Sequence, residues 1–183
     1  MRLFAGIELD TATRDSCARV QDRLRAAHFD ARFEPIEKLH VTLAFLGRVE
    51  PSQVPAVESA LDAAASQAPA FALAFDKLGA FPHERRPRII FIGSRAQGES
   101  FRNLATALRA RYEAMGFSFV DDVVAHVTIA RVKGGSARPL PQLDIARIEL
   151  PATGIALFES LQDKQTTRYV IRHSASLQTA GAG

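Results

Sequence analysis

The sequence predicts an α+β domain built from two related strand–helix–strand halves that share a groove. Three observations carry that expectation. Short apolar strands alternate with amphipathic helical stretches along the chain. The phrase HVTLA at 40–44 returns as HVTIA at 126–130, 86 positions later. The same ungapped shift places Arg2-Leu3-Phe4 on Arg88-Ile89-Ile90, so the order strand, helix, histidine-bearing strand occurs twice.

Residues 2–9 (RLFAGIEL) read as a buried strand that ends where Asp10-Thr11 offers a helix start. Cys17, Val20, Leu24 and Ala27 then form the apolar stripe of a first helix, with His28 expected to cap carbonyls at its end. A short extended piece at Phe33 leads into a strand at 39–46, closed by Gly47. Pro51-Ser52 opens a second helix, with Val54, Val57, Leu61 and Ala64 on one face. Phe71, Leu73 and Phe75 alternate with alanines as a strand. The stretch FPHERRP reads as a loop, and RIIFIG at 88–93 as the next strand. Phe101, Leu104, Leu108 and Met115 mark a third helix, stopped by Gly116. Strand 123–132 carries the second histidine phrase, and further strands fall near 145–150, 154–161 and 167–173. Residues 1–177 form one domain, and 178–183 (QTAGAG) read as a flexible tail.

Composition narrows the function classes. Apolar residues make up 47% and charged residues 23%, the balance of a folded protein rather than a disordered one. No apolar run approaches the roughly 20 residues a membrane helix needs. The N-terminal stretch is interrupted by Glu8 and Asp10, unlike a secretory leader, so a cytoplasmic monomer is expected. Cys17 is the single cysteine, which rules out an intrachain disulfide and a cysteine-based zinc site. The net charge of +3 is modest, but 19 of the 23 basic residues are Arg, whose planar fork suits phosphate.

On a strand, His40 and Thr42 point one way while Val41 and Leu43 point the other, and the same holds for His126 and Thr128. With five His and nine Thr in the chain, two such phrases arise by chance on the order of once in a thousand sequences. Packing histidines and a metal site remain open alternatives. The metal reading needs more ligands, because neither phrase holds a Cys, Asp or Glu at strand-compatible spacing. An acid–base pair fits better, since one imidazole can take a proton while the other gives one. Thr42, Thr128 and Arg131 can then hydrogen-bond a tetrahedral anion between them. Arg131 has the wrong strand parity for this and needs a twist, a bulge or its full side-chain length. Phosphodiester cleavage without a metal suits the set.

HVTLAFLG and HVTIAR resemble the paired H-x-T-x motifs of the two-histidine (2H) phosphoesterases, nearest to the RNA 2′,3′-cyclic phosphodiesterases also called 2′-5′ RNA ligases. The resemblance extends to RLFAGIEL, RFEPIEKLHVTLAFLG, RPRIIFIG and TTRYVI. It implies a bilobal fold whose antiparallel sheets line a central groove, no cofactor, and an RNA or nucleotide substrate ending in a 2′,3′-cyclic phosphate. It further implies His40 as proton donor, His126 as proton acceptor, and Thr42, Thr128 and Arg131 as phosphate ligands. Phe33 stands where such proteins often have Trp, and Asp121-Asp122 precede the second phrase where they often carry Pro with Arg nearby. Other cyclic or 2′-5′ linked nucleotides, a non-catalytic RNA-binding module and a metal-dependent hydrolase are the alternatives.

Among other candidates, His83, Arg85, Arg86 and Arg88 could grip an RNA strand, with Arg88 nearer the repeat core. Residues 133–138 could form a lid. Phe33 and Phe45 are expected to pack in the core rather than stack a base.

Overall fold

The computed structural model describes residues 1–96, 98–120, 122–132, 138–163 and 167–179. The elements run β1 (Arg2–Glu8), α1 (Thr11–Ala26), β2 (Arg32–Phe33), β3 (His40–Arg48), α2 (Val54–Ala65), β4 (Phe71–Phe75) and β5 (Lys77–Phe81). They continue with β6 (Ile89–Gly93), α3 (Glu99–Glu113), β7 (His126–Arg131), β8 (Ile148–Ala152), β9 (Gly154–Gln162) and β10 (Thr167–Ser176). The predicted α+β class holds. β5 has no counterpart in the sequence reading, where only its last residue, Phe81, falls in the expected loop; it pairs antiparallel with β6 from Lys77 opposite Gly93 to Phe81 opposite Ile89.

Local chemistry explains the helix ends. The Asp10 carboxylate accepts from Thr13 N at 2.8 Å and caps α1, and the Thr13 side chain, with that backbone bond, holds the carboxyl below its ordinary range. At the other end His28 sits in the left-handed region (φ 52°) and its own N–H bonds Arg25 O, while Phe29 N bonds Leu24 O. This pair is a Schellman closure, made by the backbone of His28 rather than by its imidazole. Cys17, Val20 and Leu24 are buried as the stripe required, and burial pushes the Cys17 thiol up to about 12. Gln178 does not fray: Ser66 O accepts from its amide, Ala68 O accepts from its backbone N–H, and its own carbonyl accepts from Ala70 N.

Both halves of the repeat enter one sheet path, ordered β10-β9-β1-β3-β7-β6-β5, with β2 added beside β7; β4 and β8 pair separately. The two histidine strands, β3 and β7, share a single pair, Val41 opposite Val127, both fully buried. The first strands of the halves are one residue out of step with the ungapped shift, because Ile7 pairs with Val41 and Ile92 with Val127.

Each histidine strand carries a bulge at the same place. Ala44 and Thr42 face consecutive residues of β1, Ala5 and Gly6, leaving Leu43 as the extra residue. Ala130 and Thr128 face consecutive residues of β6, Ile90 and Phe91, leaving Ile129 extra. Two successive side chains are therefore buried in each strand, and the next one, Phe45 or Arg131, emerges. Each bulge carbonyl is held by a helix of the other half. Arg109 Nε on α3 donates to Leu43 O at 2.9 Å, and Gln21 Nε2 on α1 donates to Ile129 O at 2.9 Å. Gln21 also donates to Glu34 O at 2.8 Å and is itself buried.

Replacing Gln21 with Leu removes a donor from Glu34 O and Ile129 O in a buried setting. The expected outcome is a loss of about 1–3 kcal/mol in unfolding free energy, read from the urea midpoint at constant slope. An unchanged midpoint would show that the brace is idle.

Candidate active site

The five residues singled out by the sequence (His40, Thr42, His126, Thr128 and Arg131) line one cleft of about 830 Å³. The seam explains their convergence. An antiparallel pairing centred on Val41 and Val127 sets His40 across from Thr128 and Thr42 across from His126. Strand parity turns these four side chains to one face, at about 5 Å spacing across the seam and about 7 Å along it. Arg131 reaches the same cleft because the Ile129 bulge reverses its parity.

Both imidazoles are oriented by the same device. His40 Nδ1 lies 2.7 Å from Lys38 O, and His126 Nδ1 lies 2.7 Å from Val124 O. A carbonyl only accepts, so Nδ1 carries the hydrogen in each ring and Nε2 remains for chemistry. Aromatic rings fix the planes. Phe4 lies 4.7 Å from the His40 centroid and Tyr169 meets it edge-on at 5.3 Å. Phe81 and Phe91 each stand 5.4 Å from His126. The Phe91 ring has room only because its neighbours are glycines: a Cβ at Gly79 or Gly93 would come within 2.6 or 2.9 Å of it.

Burial lowers the proton affinity of His40. The Lys38 carbonyl works against that, and the charge of a protonated His126 adds to it, while Glu34 opposes and Arg131 reinforces it. The empty cleft thus resists two imidazolium ions side by side. Burial also raises Tyr169 above its ordinary value, which keeps its phenol a hydrogen-bond donor.

Several expectations change. Phe45 is 50% exposed on the cleft, not packed in the core, with the Arg2 guanidinium 5.4 Å over its ring. Phe33 does pack against the core as expected, half-buried beneath the Arg25 guanidinium at 4.2 Å, and it also borders the cleft. His83, Arg85, Arg86 and Arg88 are exposed and none lines the cleft, so Arg88 has no place at the repeat core. Asp122 is exposed and does not line the cleft; Asp121 and residues 133–137 of the expected lid lie outside the described residues. Glu34, Phe4 and Tyr169 were missed. Nothing in their local sequence marks them, because they enter the site from strands remote in the chain. Among the described residues, no three His, Cys, Asp or Glu gather as a metal site, and no helix is long and apolar enough to cross a membrane.

Two histidines, two hydroxyls and a guanidinium thus line one open cleft, the arrangement expected from the resemblance to the two-histidine phosphoesterases. The chain belongs to the LigT-like phosphoesterase family, which matches residues 7–91 and again 92–169, one match for each half of the repeat. A relative in Archaeoglobus fulgidus, named RNA 2′,3′-cyclic phosphodiesterase, is 34% identical over 133 residues, 73% of either chain. One of the same name in Methanothermobacter thermautotrophicus is 32% identical, over 73% of this chain and 72% of that one. Among solved structures, TT0787 of Thermus thermophilus matches with a TM-score of 0.79 at 27% identity, over 99% of this chain and all of that one. Escherichia coli LigT in complex with NADP+ matches at 0.77 and 25% identity, over 96% and 97% of the two chains.

The His40 shift has a testable sign. A depressed value means that the folded chain favours the neutral ring, so this group's stability contribution is present above the unfolded value and lost as pH falls through the folded one. In an NMR titration the His40 ring is expected to protonate below the ordinary histidine value of about 6.5, and inorganic phosphate should raise it. A midpoint at or above 6.5 in the empty site would remove the burial argument.

Proposed function

We propose that this protein hydrolyses 2′,3′-cyclic phosphates at RNA or nucleotide 3′ ends, leaving a 2′-phosphomonoester and a free 3′-hydroxyl. The observation that carries the reading is the matched pair of imidazoles across the Val41–Val127 seam, each with its Nδ1 hydrogen tied to a carbonyl two residues back. The names of the relatives and the nucleotide in the Escherichia coli LigT complex support it.

In this mechanism Thr42, Thr128 and Arg131 hold the non-bridging oxygens and share the charge that builds on them. His126 takes a proton from water as the water oxygen attacks phosphorus. His40 gives its proton to the 3′ oxygen as the P–O3′ bond breaks on the far side. The proton that the pair carries at the start is carried at the end by the other ring, and exchange with solvent restores the first state. The bound anion supplies the charge that His40 lacks in the empty cleft, so protonation of the donor and binding of the diester reinforce one another. The chemistry asks for no metal. With a 5′-hydroxyl in place of water, the same displacement joins two ends through a 2′-5′ linkage and keeps the two histidine roles; only its reversal, cleavage of a 2′-5′ linkage by the 3′-hydroxyl, exchanges them.

The test is turnover of a 2′,3′-cyclic nucleotide in excess chelator, followed by phosphorus NMR. The 2′-monophosphate should accumulate at the same rate with and without chelator; full dependence on added metal would overturn the mechanism. His40→Ala and His126→Ala should each lower turnover by about 10²–10⁴ with the fold intact by circular dichroism. Rates near wild type for either variant would reject the assignment.

A further inference from the structure

Among the described residues, Glu34 is the acidic side chain seated against the anion-binding guanidinium, and neither the repeat nor the proposed chemistry asks for it. Its Oε1 lies 2.6 Å from Arg131 Nε, and Arg32 Nη2 stands 4.0 Å away. The side chain is only 16% exposed, whereas that of Arg32 is 78% exposed and screened by solvent. The backbone beneath it is pinned on both sides: Glu34 N donates to Ile129 O at 2.9 Å, and Glu34 O accepts from Gln21 Nε2 at 2.8 Å. The carboxylate is therefore a fixed charge of the cleft. Its influence reaches His40 and Tyr169 as well as Arg131.

The balance of charges decides what this arrangement does. Arg131 approaches the anion with its positive charge already matched by Glu34, so its remaining N–H groups can bond oxygen without neutralising it. A phosphodiester carries one negative charge. A phosphomonoester carries up to two, and the second is left facing the Glu34 carboxylate.

We propose that Glu34 is a charge-selecting residue: fixed on Arg131, it opposes the second negative charge of a phosphomonoester, so the cleft holds the diester and expels the product of its hydrolysis. This deepens the diesterase reading and rests on it for the identity of the product. Arg2 and Lys38 also line the cleft, with Asp163. They set the overall attraction for anions, while Glu34 sets the difference between one charge and two.

Glu34→Gln keeps an oxygen acceptor for Arg131 Nε and removes only the charge. Dissociation constants are to be measured by calorimetry at about pH 8, where phosphate monoesters are dianions. The probes are adenosine 2′-monophosphate, its monoanionic methyl ester, and inorganic phosphate, each on wild type and variant. The expected result is that Glu34→Gln binds the two dianions about tenfold more tightly while the methyl ester shifts by less than about threefold. Equal shifts for monoanion and dianions, or weaker binding of all three, would show that Glu34 only positions Arg131 and would overturn charge selection. So would a wild type that binds none of the three. Inorganic phosphate separates this result from the diesterase reading. If the variant gains affinity for phosphate as expected but wild type does not turn over a 2′,3′-cyclic nucleotide, the substrate assignment fails and the charge selection stands.

Discussion

One extra residue in each of two strands governs this molecule. The bulges at Leu43 and Ile129 let a strand bury two successive side chains and then turn the next outward. Without them strict alternation would bury Arg131 beside Ile129 and deny the cleft its guanidinium. A bulge also leaves a carbonyl out of the ladder, and such a group inside a protein must find a donor. Arg109 supplies it at Leu43 O, and Gln21 joins the Glu34 N–H at Ile129 O, each side chain coming from the helix of the opposite half. The same bonds that satisfy the irregular backbone therefore tie the two halves together, beside the β1–β9, β2–β7 and β4–β8 pairings, although the two histidine strands share only one ladder pair.

That sparse seam is what the chemistry needs. A fully paired junction would continue the sheet, and its face would be covered or flat. A single buried valine pair lets each half present its His and Thr beside those of the other half. The rigidity lost at the seam is recovered in the side chains themselves. Carbonyls two residues back fix the ring nitrogens, and phenylalanines fix the ring planes. Pre-organisation of this kind lowers the reorganisation needed when charge develops on phosphorus.

The electrostatics follow from the same burial. Aromatic walls that orient His40 also withdraw water from it, so its proton is held weakly until an anion arrives. With Arg131 already paired to Glu34, the cleft carries little fixed surplus charge at its centre. Arg2 and Lys38 set its overall attraction for anions, and protonation of the histidine pair adds to it, which couples binding to the readiness of the acid.

Much of this was legible in the linear chain. The repeated H-x-T-x phrase, its apolar partners on the other parity, and the helix stripes are local patterns, and period and spacing suffice to read them. The five candidate residues do converge. Even the obstacle to Arg131 was visible as a parity conflict, though not its solution. By the same parity Phe45 read as core, and it is exposed, because a bulge is a property of two strands in register and not of one sequence. Glu34, Phe4 and Tyr169 belong to the cleft through pairings between strands far apart in the chain, and no periodicity encodes such a meeting. The sequence by itself determined which groups the proposed chemistry uses, since side-chain type and alternation are local. Only the tertiary structure decided how they are aimed and charged, since bulge, seam and burial depend on what each strand meets.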